Sequence, residues 1–502
     1  MAYRSAEEAW SALHSLRSSL LLRCERYAAL TIVKVMLPDG VDLMSMEQST
    51  DYQSIGARCV NHLTNKFMAT MFSPSRPFFR AGAGRATQAD LKKLNMDESD
   101  LAQGLGKIER EAVALLDRRG QRPKLYQIMR NLIVTGNALL CEEGDELRAM
   151  GLKYYVVKRN CLGKVITLVI KEEVLFDELD HKAQTELAGM HNPDSKVCHY
   201  RWIQWDNDKK KYEMTQWVNT TKLGPAFESR WSSEDMPYHA LAWDLTDEAD
   251  YGTGLVEEYI GALEACSAMA EGVVDGAVAG TEMRWLVNPT GMTSAGDFNK
   301  SRNGDALPGR PEDIDSVTVG NAQSITVADT VLTRYEQQLS QGFLLFSGTV
   351  RNAERVTAEE IRQQAQELES AYGGVYSMLG RMLQGPVARW LIRGIDKELL
   401  KSDLTYTVIT GLDALSRGSD LENLRLALTD LANLSALPPD LVGRFQYEKL
   451  VDFVGNGRGI DLRSLMKSED EYKAWLDQQA QQRVAEQAAV NQSKVLPEQG
   501  TQ

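Results

Sequence analysis

The feature that most constrains the fold is a stretch of 53 residues, 231–283, that has no lysine or arginine but twelve aspartates and glutamates. Within it, residues 255–280 predict an amphipathic helix roughly 39 Å long at 1.5 Å per residue. At 100° per residue, four carboxylates fall within about 40° of one another and form a stripe. We call this set the acidic stripe: Glu257, Glu264, Glu271 and Asp275. Such a helix must pack on protein along one side and carry carboxylates on the other.

Two interpretations fit the acidic stripe. A helix on a solvated surface is the simpler one, but surface helices usually gain from ion pairs between residues i and i+4, and this segment contains no cation to form them. The other interpretation is a surface that repels a polyanion. Like charge prevents phosphates from adhering, so a nucleic acid can slide past such a surface.

Length and composition limit the kinds of protein that this chain can be. A chain of 502 residues predicts about three domains, and its net charge of −14 is opposite in sign to that of a tight, general nucleic-acid binder. The six cysteines form no C-x-x-C motif, which is typical of a reducing compartment. The N-terminus lacks the apolar core of a signal peptide, and no run of 18 uncharged apolar residues occurs. We therefore expect a protein of cytosolic origin that does not span a membrane.

Periodicity predicts an α+β fold that is mostly helical. Helices are expected over about 5–35, 52–71, 97–118 and 123–135, so the first 140 residues should be mostly helical. From about 152 the pattern changes to strands, with predicted hairpins around 160–163 and 206–210. Helical patterns return at 251, and a loop-rich stretch, 284–325, is followed by further helices.

Enzyme signatures are absent from the sequence. It contains no phosphate-binding G-x-x-x-x-G-K-[ST] loop, no G-x-S-x-G and no H-E-x-x-H. Gly82-Ala-Gly84 and Gly252-Thr-Gly254 lack the third glycine of a dinucleotide site and follow no convincing strand. Cys198 and His199 are adjacent, so on a strand they would point to opposite sides, which disfavours a metal cluster with His191. We expect no cofactor, no metal and no catalytic residues.

A short polar loop precedes a well-marked helix. The loop, 347–356, contains Arg351 and Arg355; these arginines are either solvated or in contact with phosphates. Thr357 and Glu360 fit a capping box that opens the helix 357–393. Gly373 and Gly374 lie in its middle, and this pair should kink or hinge it.

Several short sequence strings, in this order along the chain, resemble those of a known family. They are Asp250-Tyr-Gly252, Val256-Glu-Glu-Tyr259, Val287-Asn-Pro289, Gly309-Arg-Pro-Glu-Asp313, Glu354-Arg-Val-Thr-Ala-Glu-Glu-Ile361 and Gly373-Gly-Val-Tyr-Ser377. Over about 245–415 the chain resembles the head-to-tail connectors, or portal proteins, of short-tailed double-stranded DNA bacteriophages. The resemblance implies a ring, typically of about twelve subunits, around an axial channel at one capsid vertex. DNA would enter the head and later leave through the short tail by this channel.

The family fold has a wing, a stem, a clip and a helical crown, and it implies a division of this chain. The expected parts are the wing region, 1–250, β-rich from about 152; a stem helix, 251–283; the clip region, 284–325; a returning stem helix, 326–346; the channel loop, 347–356; a kinked wing or crown helix, 357–393; the helical crown, 394–480; and a flexible tail, 481–502. On this division the acidic stripe lines the channel, and Arg351 and Arg355 are candidates for contact with DNA.

The resemblance also implies partners and a location. Expected partners are other copies of the chain, the major capsid protein, scaffolding protein, terminase, tail adaptor proteins, internal core proteins and double-stranded DNA in the channel, with no membrane. The protein would be made in the host cytoplasm and would reside in the virion, at the head–tail junction. A nuclease or terminase-type packaging enzyme and an internal scaffolding protein are the alternatives. Such an enzyme would need a carboxylate cluster for Mg²⁺, whereas a scaffold would form no ring with a central hole.

Overall fold

The computed structural model of the chain describes residues 3–41, 52–73, 77–83, 98–190, 192–281, 283–318, 322–345, 358–395 and 404–408, with the single residues 429, 473, 475 and 478. Contacts divide the chain into two units, Met1–Gly411 and Leu412–Gln502. All the helices and strands named below belong to the first unit.

Helix predominates in the described residues, mixed with sheet, as the periodicity predicts. The α-helices are α1 (Ala6–Leu16), α2 (Ser18–Ala29), α3 (Ile55–Met71), α4 (Glu98–Arg118), α5 (Arg122–Thr135), α6 (His181–Glu186), α7 (Leu255–Thr281), α8 (Ala295–Lys300), α9 (Ala322–Gly342), α10 (Ala358–Leu379) and α11 (Gly385–Ile395). The strands are β1 (Phe79–Ala83), β2 (Asn137–Glu143), β3 (Glu146–Met150), β4 (Tyr155–Arg159), β5 (Val165–Leu175), β6 (Lys196–Asp206), β7 (Lys211–Val218), β8 (Thr221–Lys222), β9 (Ser229–Trp231), β10 (Tyr238–Ala242), β11 (Met283–Val287), β12 (Ile314–Thr318) and β13 (Leu404–Val408).

The largest sheet is an antiparallel meander in the order β4-β5-β6-β7-β8, with β9 paired to β7. Both predicted hairpins belong to it, because β4 pairs with β5 and β6 with β7. Side chains alternate between its faces. Val169 and its cross-strand neighbour Trp202 pack against Trp10 of α1, whereas Leu168 and Ile203 face the main core. The sheet is therefore buried on both faces.

The main core lies where α3 and α5 meet. Leu63 and Phe67 of α3 and Ile128 and Leu132 of α5 are fully buried there. The core continues to α7, α9, α10 and α11 through further buried residues: Leu255, Leu263, Leu339, Phe343, Leu368, Leu379, Leu383 and Trp390. Helices that are far apart in sequence thus share one apolar interior.

Two local expectations were wrong. The predicted helix 5–35 is two helices that break at Arg17, whose buried guanidinium donates a hydrogen bond to the carbonyl of Leu152 over 2.6 Å. Gly82 does lie on a strand, β1, which pairs with β13. In both cases a partner distant in sequence overrides the local pattern. The described part of the first 140 residues is mostly helical, as expected, and β2 begins at its end, in the sheet β10-β2-β3.

Candidate functional site

The acidic stripe lies on α7, which runs antiparallel to α9. The rings of Tyr259 and Phe343 are 5.3 Å apart at one end of the pair. At the other end, Gly276 faces Ile325 so closely that a Cβ at Gly276 would lie 3.0 Å from Ile325 Cγ1. Helix α7 lies within the segment 251–283, and α9 overlaps the segment 326–346 but begins four residues earlier; that they form a stem stays a prediction.

The two ends of α7 have different surroundings. Leu255, Leu263 and Cys266 are fully or almost fully buried, and Ala270 is the last buried residue of the helix. Beyond it, exposed apolar side chains include Val274 and Val278, 44% and 58% exposed. A helix end that leaves valines in water is a surface suited to cover by another chain.

The acidic stripe is divided between these two environments. Glu257 forms an ion pair with Arg23 over 2.7 Å, and Glu264 pairs with Arg26; both arginines belong to α2. Glu271 and Asp275 are exposed, and within the described part of the chain neither forms an ion pair. The expectation that all four carboxylates lack cationic neighbours was therefore wrong for Glu257 and Glu264. The cations come from about 235 residues upstream, where helical periodicity cannot detect them.

The beginning of α7 is fixed by backbone contacts of a glycine-containing turn. Asn137 donates from Nδ2 to the Gly252 carbonyl over 2.8 Å and accepts from the Gly252 N–H at Oδ1 over 2.9 Å. Gly136, at φ +73°, ends α5, and a Cβ there would lie 2.4 Å from the Thr253 carbonyl carbon. The Gly252–Gly254 fragment therefore serves close packing of two backbones, which only glycine permits.

Asp250 and Tyr251 tie the same turn to β4. Asp250 accepts hydrogen bonds from Lys158 Nζ over 2.9 Å and from the Arg159 N–H over 2.7 Å. The Tyr251 hydroxyl accepts from the Val157 N–H over 3.0 Å. The string Asp250-Tyr-Gly252 thus has a structural reason, since it fixes the direction in which α7 leaves the sheets.

The segment that joins α7 to α9 is a small unit organised by Asp313. Strands β11 and β12 pair antiparallel, Met283 opposite Thr318. Buried Asp313 accepts at Oδ2 from the Met292 and Thr293 N–H groups over 3.0 and 3.3 Å, and from Thr293 Oγ1 over 3.2 Å. Gly309 lies against Thr293, where a Cβ would be 2.1 Å from Oγ1. The string Gly309–Asp313 is therefore a folding element of this segment, most of which falls within the range 284–325; that it forms a clip stays a prediction.

The predicted kinked helix is present as α10 and α11, joined by a π-helical turn, Gly380–Gln384. The backbone of α10 leaves helical geometry at Tyr372 (φ −133°, ψ 33°), the residue before Gly373 and Gly374. Glu360 lies in the first turn of α10. Arg351, Arg355 and Thr357 lie outside the described residues, so the channel loop and the capping box stay predictions.

No metal or membrane site emerges among the described residues. Cys198 and His199 lie on β6, where His199 Nε2 contacts Gln216 Oε1 over 2.9 Å and the Cys198 N–H donates to Asn219 Oδ1. Burial lowers the pKa of His199. Within the described ranges, no three His, Cys, Asp or Glu side chains are grouped to hold a metal ion. In that same part of the chain, every helix is too short or too polar to cross a membrane.

Comparisons with known proteins identify relatives over almost the whole chain. The family described as "Bacteriophage head to tail connecting protein" matches residues 4–466. The portal proteins of Enterobacteria phage T3 and Escherichia phage T7 are each 31% identical over 96% of this chain and 92% of their own. The portal protein of Enterobacteria phage SP6 is 28% identical over 97% of this chain and 95% of its own. Among solved structures, the neck of an empty GTA particle aligns with a TM-score of 0.37 and 13% identity over 82% of this chain and 90% of that chain.

Proposed function

The chain belongs to the family of bacteriophage head to tail connecting proteins, and on that premise we propose that it is a portal protein that conducts DNA through a ring of its own copies. The match of residues 4–466, together with full-length portal relatives, is the observation that carries this proposal. In this role the chain guides DNA through the channel and performs no catalysis. Motion of the DNA into the head is driven by a separate ATPase.

Exposed apolar side chains on the paired helices support assembly into a ring. Val274 and Val278 on α7 and Val327 on α9 are 44%, 58% and 61% exposed in the single chain. A neighbouring copy that covers them would remove apolar surface from water. In a rotational ring each subunit uses two different faces, so the α7 face of one copy would meet another face of the next.

Glu271 and Asp275 are the part of the acidic stripe best suited to line a channel. Both are exposed and belong to the end of α7 that leaves the core. Repeated around a ring, these carboxylates would give the bore a negative potential that repels phosphates. Glu257 and Glu264 would add less to this potential, because Arg23 and Arg26 offset their charge.

The remaining parts follow the portal division. We propose that residues 1–250 form the wing, 251–283 and 326–346 the stem, 284–325 the clip, 347–356 the channel loop and 394–480 the crown. Partners would be capsid, scaffolding, terminase, tail adaptor and internal core proteins, and the site of action would be the head–tail junction of the virion after synthesis in the host cytoplasm. Arg351 and Arg355 would contact DNA, so replacing both with alanine should change DNA retention more than ring assembly.

The experiment that tests the lining role reverses charge in the bore. Glu271→Lys with Asp275→Lys should leave rings intact in electron micrographs but lower the DNA content of heads, because the phosphates would then adhere. A matched control is Asp194→Lys with Asp208→Lys, which makes the same change in charge at exposed turns of the large sheet. Normal DNA content in the first variant would refute the lining role. Particles without a central hole would refute the ring itself.

A further inference from the structure

A buried lysine connects three helices. Neither this lysine nor its partners belong to the sequence strings that carry the family resemblance. Lys66 lies on α3, and its side chain is 0% exposed. A buried ammonium is strongly unfavourable unless it is paired and hydrogen-bonded. The groups that bind Lys66 must therefore offset the cost of burying its charge.

The described partners of Lys66 lie on both sides of the segment that joins α9 to α10. Its Nζ lies 2.6 Å from Glu367 Oε2 on α10 and donates to the Leu344 carbonyl, just beyond α9, over 3.4 Å. These partners are 301 and 278 residues away in sequence. One ammonium thus fixes residue 344 relative to residue 367.

Leu344 has a backbone conformation that its surroundings must stabilise. Its φ is +54°, a left-handed conformation that glycine favours and leucine rarely adopts. The Leu344 N–H donates to the Gln341 carbonyl over 3.1 Å, and the Leu345 N–H donates to the Ser340 carbonyl over 2.7 Å. This pair of bonds is the helix ending that normally places glycine where Leu344 stands. A strained residue of this kind persists only where its surroundings hold it.

A second side chain on α3 holds the same carbonyl. His62 Nε2 lies 3.1 Å from the Leu344 oxygen, and because a carbonyl only accepts, Nε2 carries the proton. His62 and Lys66 are four residues apart, on one face of α3. The last carbonyl after α9 therefore receives two donors from one neighbouring helix, and the cation lies at the negative end of the α9 dipole.

We propose that Lys66 is a positioning residue, which with His62 holds Leu344 in its left-handed conformation and sets the span between α9 and α10 that the channel loop must bridge. The effect on DNA rests on the proposed function, in which the loop between these helices contacts DNA. The effect on the backbone at Leu344 does not rest on the proposed function. The positioning role and the proposed function can therefore fail separately.

The test compares Lys66→Met with the wild type in purified, assembled rings. Methionine fills a similar volume but has no ammonium, so the Leu344 and Leu345 amides should exchange with deuterium about tenfold faster. Amides of β5 and β6 should be unchanged, which separates a local opening from general loss of stability. Lys153→Met is the matched control, because it also removes an ion-paired lysine, which binds Glu25 and Asp39, but touches neither α9 nor α10. It should leave the Leu344 amide unaffected.

A second variant covers the case in which Lys66→Met does not assemble. Glu367→Ala removes the partly exposed partner, 32% exposed, and should speed exchange at Leu344 by about threefold. Unchanged exchange at Leu344 in whichever of these variants assembles overturns the positioning role. In particles built with Lys66→Met we expect reduced DNA retention. Faster exchange with normal retention overturns the link to DNA, whereas the arginine variants test the loop's contact with DNA independently.

Discussion

The hydroxyl of Tyr372 donates a hydrogen bond to the carbonyl oxygen of Gly342. Tyr372 is the residue at which α10 leaves helical geometry, and Gly342 is the last residue of α9. On its other side, Gly342 packs on the ring of Tyr259, so that a Cβ would lie 2.4 Å from Cζ. The kink in α10 is thus joined directly to the contact between α7 and α9.

Removing this hydroxyl should loosen the junction. Tyr372→Phe keeps the ring, which packs near Phe67 and Trp243, but leaves the Gly342 carbonyl without that donor. We expect the free energy of unfolding to fall by about 1 kcal/mol, measured by denaturant titration. Tyr52→Phe, at an exposed tyrosine, is the control and should have no effect. An equal loss in both variants would mean that the bond does not stabilise the junction.

The glycine pair after Tyr372 allows stability and motion to be separated. A Cβ at Gly374 meets no atom within 4 Å, and one at Gly373 meets only Glu369 Cγ at 4.0 Å, so alanine fits at both. Gly373→Ala with Gly374→Ala should therefore raise the free energy of unfolding by up to about 1 kcal/mol per site. If the pair is a hinge, DNA packaging should fall although the rings are more stable. Normal packaging in the stabilised variant would show that the kink is static.

Asp313 should control the folding of the segment between α7 and α9. Asp313→Ala removes three hydrogen bonds to Met292 and Thr293 and should destabilise this segment locally by about 2 kcal/mol. The measurement is deuterium exchange at the Met292 and Thr293 amides, which should speed up, while α5 amides stay protected. Asp315→Ala, at an exposed neighbouring carboxylate, should change neither. Slow exchange in Asp313→Ala would contradict the assigned role.

Two partly buried histidines predict a dependence of stability on pH. Burial, reinforced by nearby Lys66, lowers the pKa of His62, and burial lowers that of His199. In the unfolded chain both titrate near the ordinary value of about 6.5, so below that pH the unfolded state binds more protons. Stability is therefore complete above about pH 6.5 and is lost as the pH falls toward the folded-state values.

The measurement is the melting temperature of the rings from pH 7.5 down to pH 5. It should decline in the wild type, and His62→Gln with His199→Gln should flatten the decline, because glutamine does not titrate but can still donate a hydrogen bond. An unchanged slope in the double variant would assign the effect to other groups.

Periodicity predicted the elements whose residues carry their own pattern. The amphipathic pattern of α7, the strand alternation of β4 to β7 and the glycine pair after Tyr372 are local signals, and the structure has these elements close to the expected bounds. The strings around Asp250 and Asp313 could also be recognised in the sequence, but their structural role could not. That role depends on hydrogen bonds to Asn137 and Thr293, which the strings do not contain.

The sequence by itself determined that one long helix carries an acidic stripe and that a kinked helix follows a polar segment, because both are properties of residues a few positions apart. Only the tertiary structure decided that Arg23 and Arg26 offset half of the stripe and that Lys66 joins Leu344 to Glu367. Those contacts connect residues more than 200 positions apart. No periodic pattern specifies them, because they arise only when the helices pack on a common core.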